Sequence, residues 1–239
     1  MLLNKLIKTL EEIIYPRHCL LCRIKIDSED STNDPVCAGC LEKIIPNIPP
    51  FCQRCGRHTS DKRICDGCAK INFHFNRAWA SCRYDGVARE MLHSFKYNNK
   101  TGLGINLARL LIDFVKNYHL PVSACDYVIP VPLSPAKLRE REFNQAGILA
   151  EELAEYFELK LSDNNLKRIR NTASLTELDR HKRWQNIQGA FGLKEPGALK
   201  EKTILLIDDV LTTGATASEA AKSLKNAGAS AVFVLTVAN

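Results

Sequence analysis

TILLIDDVLTTGATA, residues Thr203 to Ala217, decides the reading of this chain. Ile204-Leu205-Leu206-Ile207 is dense enough in large aliphatics to be a strand buried on both faces. It ends in two adjacent carboxylates, Asp208 and Asp209, followed by a polar loop, Thr212-Thr213-Gly214-Ala215-Thr216, and a helical segment from Ser218 to Asn226. A helix N-terminus offers unpaired N–H groups and a positive dipole end to phosphate. Gly214 lets the backbone turn tightly against an anion, and the threonines add hydroxyl donors. Ionised carboxylates only accept hydrogen bonds, so the acid pair suits the two hydroxyls of a ribose. Acceptors at one end and phosphate donors at the other fit a ribose 5-phosphate. The plain alternative is an ordinary strand-to-helix turn with Thr and Asp as cap residues. Neither a Gly-x-x-x-x-Gly-Lys-Ser/Thr loop nor a Gly-x-Gly-x-x-Gly fingerprint occurs.

The chain has 239 residues, 45% apolar and 25% charged, which is ample for a packed core. Its 33 basic and 27 acidic residues give a net charge of +6, mildly in favour of phosphate-rich partners. In residues 1–16, Leu3, Leu6, Ile7, Leu10 and Ile14 recur at helical spacing with Lys and Glu between them. That is an amphipathic helix and not a signal peptide. No run approaches the ~20 apolar residues of a membrane span, so a soluble, cytoplasmic protein is expected.

Eight of the ten cysteines form four C-x-x-C pairs: Cys19/Cys22, Cys37/Cys40, Cys52/Cys55 and Cys65/Cys68. Such turns converge two sulfurs on one ion, so four of them point to two zinc ions. Disulfides and an iron–sulfur cluster are the alternatives. Sequential pairing gives one ribbon from the first four cysteines and a second from the last four; a cross-braced pairing stays open. Few large apolar residues lie between them, so metal is expected to hold this region folded. His18, His58 and His74 read as surface, and Cys82 and Cys125 as buried thiols.

Three regions follow: an amphipathic helix, 1–16; a double zinc-ribbon-like module, 17–75, with Pro46, Pro49 and Pro50 between its halves; and an α/β domain, 78–239. In the last, strand signals at 78–84, 127–131, 204–207 and 231–237 alternate with helix signals at 87–97, 103–118 and 144–157. This alternation predicts a mainly parallel sheet whose ligands bind beyond the carboxyl ends of its strands. The prolines of VIPVP, 128–132, force a rigid loop before Lys137, Arg139, Arg141, Asn144 and Gln145. That segment reads equally as a pyrophosphate-facing cation cluster or as a solvated helix of alternating charge. Residues 166–191 carry Lys167, Arg168, Arg170, Arg180, Lys182 and Arg183 against Glu177 and Asp179. They read as a mobile basic loop able to close over a phosphorylated ligand or meet a nucleic-acid backbone, or as a solvated face.

These motifs, in this order, resemble the ComF family of bacterial competence proteins, relatives of the GntX proteins. The resemblance rests on the C-x-x-C module, YDGVAREMLHSFKYNNK (84–100) and VIPVPLSPAKLREREFNQA (128–146). It extends to Arg-x-x-Asn-x-x-x-Ala-Phe at Arg183, Asn186 and Ala190-Phe191, and to ILLIDDVLTTGAT, which looks like the phosphoribosyl-pyrophosphate (PRPP) loop of type I phosphoribosyltransferases. It implies a phosphoribosyltransferase-like sheet, a zinc module, and handling of incoming single-stranded DNA in natural transformation beside a helicase-like partner. Under it, Asp208 and Asp209 hold the diol, Thr212 to Thr216 the 5-phosphate, and Lys137, Arg139, Arg141, Arg168, Arg170 and Arg183 the pyrophosphate, with magnesium beside PRPP. An active transferase with an unknown acceptor is the alternative it leaves open. The family has glycine where this chain has Glu142, and glutamine where it has Leu175.

Overall fold

The apolar run at 204–207 lies at the centre of the main sheet. The computed structural model describes residues 17–26, 34–60, 63–97, 100–171 and 180–239; the expected leading helix and Leu175 lie outside the described residues. Along the α/β region run β1 (Arg77–Cys82), α1 (Gly86–Tyr97), α2 (Leu103–Asn117) and β2 (Tyr127–Pro130). Then come α3 (Pro135–Arg141), α4 (Gln145–Tyr156), β3 (Lys160–Leu161), β4 (Leu166–Arg168) and α5 (Arg180–Ile187). The chain closes with β5 (Phe191–Leu193), β6 (Thr203–Val210), α6 (Ala215–Asn226) and β7 (Ala231–Ala238). Five strands form a sheet in the order β1-β7-β6-β2-β3, every neighbouring pair parallel.

Alternation along β6 divides its side chains between two cores. Leu205 and Ile207 pack with Met91, Leu92, Phe95, Leu107 and Leu149 from α1, α2 and α4. Ile204 and Leu206 pack with Leu166, Ile187, Phe191 and Ala220 from β4, α5, β5 and α6. All four β6 aliphatics are fully buried, as a strand covered on both faces requires.

The cysteine halves are divided the same way. Cys19, Val36, Cys40 and Ile44 join the first core, whereas Cys52, Cys55, Cys68 and Phe75 join the second. The connection between them crosses the β1 edge: Pro46 bridges Cys82, and the buried Asn47 amide donates to the carbonyls of Ala80 and Cys82, each at 3.0 Å. Each ribbon therefore completes its apolar packing on the sheet. The sparse apolar content between the cysteines reflects a borrowed core as well as a metal.

Residues 166–191 depart from the expected mobile loop. They contain β4, α5 and β5, with β4 and β5 antiparallel, while residues 172–179 lie outside those described. The two strands are three residues each, too short for a period-2 pattern to emerge from polar surroundings.

Glu142 caps α3 in the left-handed region at φ 66°. This explains in backbone terms why a glycine suits the position. Glu142→Gly is expected to stabilise the fold by about 1 kcal/mol, since left-handed geometry costs a side-chain-bearing residue roughly that much. A chemical-denaturation midpoint shifted upward with unchanged slope is the expected readout.

Candidate phosphate-binding cleft and zinc centres

β2 and β6 are adjacent, but the helices that follow them lie on opposite faces: α4 packs in the first core and α6 in the second. That divergence opens a crevice at the carboxyl ends of the two strands, where open α/β sheets bind ligands. A cleft of about 550 Å³ occupies it. One wall is Val131, Pro132 and Leu133 after β2; the floor and other wall are Asp208, Asp209, Val210, Thr212 and Thr216 after β6.

The two acids turn to opposite sides. Asp209 forms an ion pair with Lys96 of α1 at 2.7 Å, with side chains only 14% and 18% exposed. Asp208 accepts the Asp209 backbone N–H at 2.8 Å and feels Arg168 of β4. Burial, then repulsion from Asp209, pushes the Asp208 carboxyl up to about 7 against the pull of that N–H, Lys96 and Arg168. Burial alone would lower Lys96, but Asp209 and Asp208 outweigh it and hold the ammonium above its ordinary value.

Gly214 stands at φ 76°, immediately before α6. An added Cβ would meet the Phe73 ring at 2.5 Å, so both conformation and space demand glycine. Thr213 Oγ1 accepts the Ala215 N–H at 3.4 Å, and Arg183 of α5 donates to Thr212 Oγ1 at 3.3 Å.

Of the cations expected to face a pyrophosphate, Lys137, Arg141, Arg168 and Arg183 line the cleft. Arg139 and Arg170 are exposed and lie outside its lining; Arg170 donates to the Asn186 carbonyl at 2.9 Å. Burial first, then Arg141 and Arg168, draw Lys137 below the usual lysine range. A cation strained in this way gains from an anion beside it. Arg141 lies 4.9 Å from the Tyr97 ring centroid and donates to Gln145 Oε1 at 3.2 Å. Asn144 Oδ1 and Gln145 Nε2 are buried without a protein partner and are polar handles in the lining. Sequence reasoning passed over Lys96, Arg89 and Phe73. Lys96 follows the buried Met91, Leu92 and Phe95 on the same helix, and nothing local marks its ion pair.

The eight cysteines form two groups, Cys19/Cys22/Cys37/Cys40 and Cys52/Cys55/Cys65/Cys68, each with its sulfurs within 4.8 Å of one another. This is the sequential pairing. Sγ separations of 3.6 Å (Cys22–Cys37), 3.9 Å (Cys19–Cys40) and 3.8 Å (Cys55–Cys65) match a zinc tetrahedron. Bonds of about 2.3 Å give such a tetrahedron an edge of about 3.8 Å. The Cys37 and Cys65 N–H groups approach Cys19 and Cys52 Sγ at 3.5 and 3.4 Å, second-shell donors that stabilise thiolate. His18, His58 and His74 belong to neither group. Burial pushes the Cys82 and Cys125 thiols up to about 11, as inert core residues.

Residues 10–69 match the double zinc ribbon domain. The fold is thus a mainly parallel α/β sheet with an N-terminal double zinc ribbon. Competence protein F of Haemophilus influenzae is 27% identical over 222 residues, spanning 90% of this chain and 94% of its own. Competence protein ComFC of Bacillus subtilis is 29% identical over 234 residues, spanning 89% and 90%. Over about nine tenths of its length the chain is thus similar to competence proteins and, at 27% identity, to the DNA utilization protein YhgH of Salmonella typhi. Among solved structures, a purine phosphoribosyltransferase from Pyrococcus horikoshii overlaps with TM-score 0.33 and 18% identity, over 56% of this chain and 71% of that one. Among the described residues, no helix is long and apolar enough to cross a membrane.

Proposed function

We propose that this protein handles single-stranded DNA in the cytoplasm during natural transformation, on a phosphoribosyltransferase fold that binds PRPP. The observation that carries the ligand reading is one cleft holding both an acid pair and a glycine-turned helix N-terminus, rimmed by cations. Asp208 and Asp209 accept the ribose hydroxyls, and Thr212, Thr213, Gly214, Ala215 and Thr216 take the 5-phosphate. Lys137, Arg141, Arg168 and Arg183 face the pyrophosphate. Two acceptors suit a vicinal diol, which deoxyribose lacks, so the DNA strand belongs outside the acid pair. The exposed Lys167, Arg170 and Lys182 beside the cleft are its backbone contacts, and a helicase-like protein is its partner. The names of the relatives, competence and DNA-utilization proteins, support the cellular role.

A second reading, a transferase acting on an unknown acceptor, is favoured by Tyr84 and Tyr97 in the same cleft lining, whose ring faces suit a planar base. Release of pyrophosphate only when a base is added would support it.

The test is titration calorimetry with PRPP beside strand binding across a salt series. Asp208→Ala/Asp209→Ala is expected to weaken PRPP binding by roughly a hundredfold or more, since each lost charged acceptor is worth about 1.5–3 kcal/mol. Strand affinity should be unchanged in that variant and should fall steeply with salt. PRPP affinity unmoved by the double replacement would overturn the cleft assignment. Salt-independent strand binding would overturn the DNA assignment.

The resemblance also implies magnesium beside PRPP. The acid pair does not fit an added dication: Lys96 already holds Asp209, and Asp208 is held towards its protonated form by burial and by Asp209.

A further inference from the structure

Lys96 forms an ion pair with Asp209, and its surroundings give it a task. It sits in the last turn of α1, whose Ala88, Met91, Leu92 and Phe95 are fully buried and fix the helix on the sheet. The ammonium is thereby held 2.7 Å from an Asp209 oxygen inside the cleft, where neither side chain is more than about a fifth exposed. Magnesium takes six oxygen donors at about 2.0–2.1 Å in octahedral array, usually one or two carboxylates together with substrate phosphates and retained water. Here the protein offers two carboxylates, one taken by an ammonium. An incoming ion would have to displace Lys96 towards Arg141, which already opposes its charge.

The charge count agrees. Arg89, Lys96, Lys137, Arg141, Arg168 and Arg183 line the cleft against Asp208 and Asp209. Among the described residues, six cations against at most two anions leave an excess of at least four positive charges. A ribose bearing a phosphate and a pyrophosphate brings about four to five negative charges near neutrality. The side chains therefore balance the ligand without a metal ion.

We infer that Lys96 takes, at this carboxylate pair, the place of a divalent cation, so that the cleft binds PRPP without magnesium. Lys96 is a positioning and specificity residue: it fixes Asp209 for the diol and supplies the positive charge between the ribose and the pyrophosphate. This rests on the reading of the cleft as a PRPP site.

The experiment is PRPP titration of the full-length zinc-loaded protein in metal-depleted buffer, with and without millimolar magnesium. Resin-treated buffer replaces a chelator so that the ribbons keep their zinc, and zinc content is measured before and after. The wild type is expected to bind with affinities within about twofold in the two buffers. Lys96→Met is expected to bind at least about tenfold more weakly without magnesium and to regain most of that loss with it. Lys96→Arg keeps the charge and should stay insensitive to magnesium, which covers the case in which Lys96→Met does not fold. Wild-type binding that appears only with magnesium overturns this inference and leaves the PRPP assignment standing. Charge-removing and charge-keeping variants that respond alike to magnesium overturn it as well. Absence of binding in both buffers overturns the PRPP assignment, and the inference with it.

Discussion

Cys68→Ser is expected to remove one zinc ion and to weaken PRPP binding by roughly a hundredfold or more, because the second ribbon is a wall of the loop proposed to take the phosphate. A pocket of about 160 Å³ lies between them, lined by Cys55, Arg57, Cys65, Gly67, Cys68 and Phe73 on one side and Leu211 to Gly214 on the other. Phe73, five residues beyond the last cysteine of the ribbon, Cys68, seats its ring against Gly214 and stacks on Phe75 with centroids 4.6 Å apart. The next residue, His74, donates its N–H to Ser218 Oγ in the first turn of α6 at 3.0 Å. The same ribbon reaches β1 through the Ala78 N–H on the Arg54 carbonyl at 2.8 Å, and reaches the final residue through Asn239 on the Cys55 carbonyl at 2.9 Å. Losing the metal frees Phe73 and His74, and the loop then has no packed side holding Gly214 in its left-handed turn. Cys22→Ser, in the exposed corner of the first ribbon, should also release one zinc ion but leave PRPP affinity within about tenfold, since that ribbon packs on α2 through Asp34 with Asn106 and Arg109. Zinc analysis, calorimetry and a thermal melt on both variants decide it. Equal losses of affinity would mean that the ribbons act only through global stability. Full affinity in Cys68→Ser after loss of its zinc would show that the loop needs no wall.

Much of this was legible in the sequence where one residue type had a single physical use. Ile204 to Ile207 is apolar at both parities of a strand, so it had to be covered on two sides, and the fold covers it so. The C-x-x-C spacing constrains where sulfurs can converge but left sequential and cross-braced pairing open, and the fold decides for the sequential one. The Lys137–Arg141 segment left two readings open, and both describe part of α3. Lys137 and Arg141 are four residues apart on one face and line the cleft, while Arg139 is on the exposed side. What stayed hidden depends on partners far along the chain. Lys96 meets Asp209, and Phe73 meets Gly214, across more than a hundred positions each, through helix and ribbon packing that no local pattern encodes. The short β4, Leu-Lys-Arg, was masked by its cations, and β5, Phe-Gly-Leu, by its length and central glycine. The division of the cysteine module between two sheet faces was masked because its borrowed core belongs to the following domain.

Asp208→Asn should make the ligand-free protein more stable above neutrality while removing most of its PRPP affinity. The Asp208 carboxyl is raised to about 7 in the fold, chiefly by burial and then by Asp209. In the unfolded chain it titrates near 3.9. Between those values the folded protein holds a proton that the unfolded chain has released, so stability falls as pH rises from about 4 to about 7 and then levels. An amide at this position removes that slope and the cost of a buried anion beside Asp209. The expected gain at pH 8 is about 1–3 kcal/mol, or several degrees of melting temperature for a chain of this size. At pH 5 the difference should be about a third as large, because most of the wild-type fall lies between pH 5 and 7. An amide NH₂ cannot accept from a ribose hydroxyl, and its neutral oxygen is a weaker acceptor than a carboxylate, so binding should fall although the structure is firmer. Melting curves from pH 5 to 8 paired with PRPP titrations provide the check: a wild type whose stability does not decline over that range would show that Asp208 is ionised without cost. A firmer but non-binding variant would mean that the cleft keeps two adjacent carboxylates, at a standing loss of stability, because its ligand requires both.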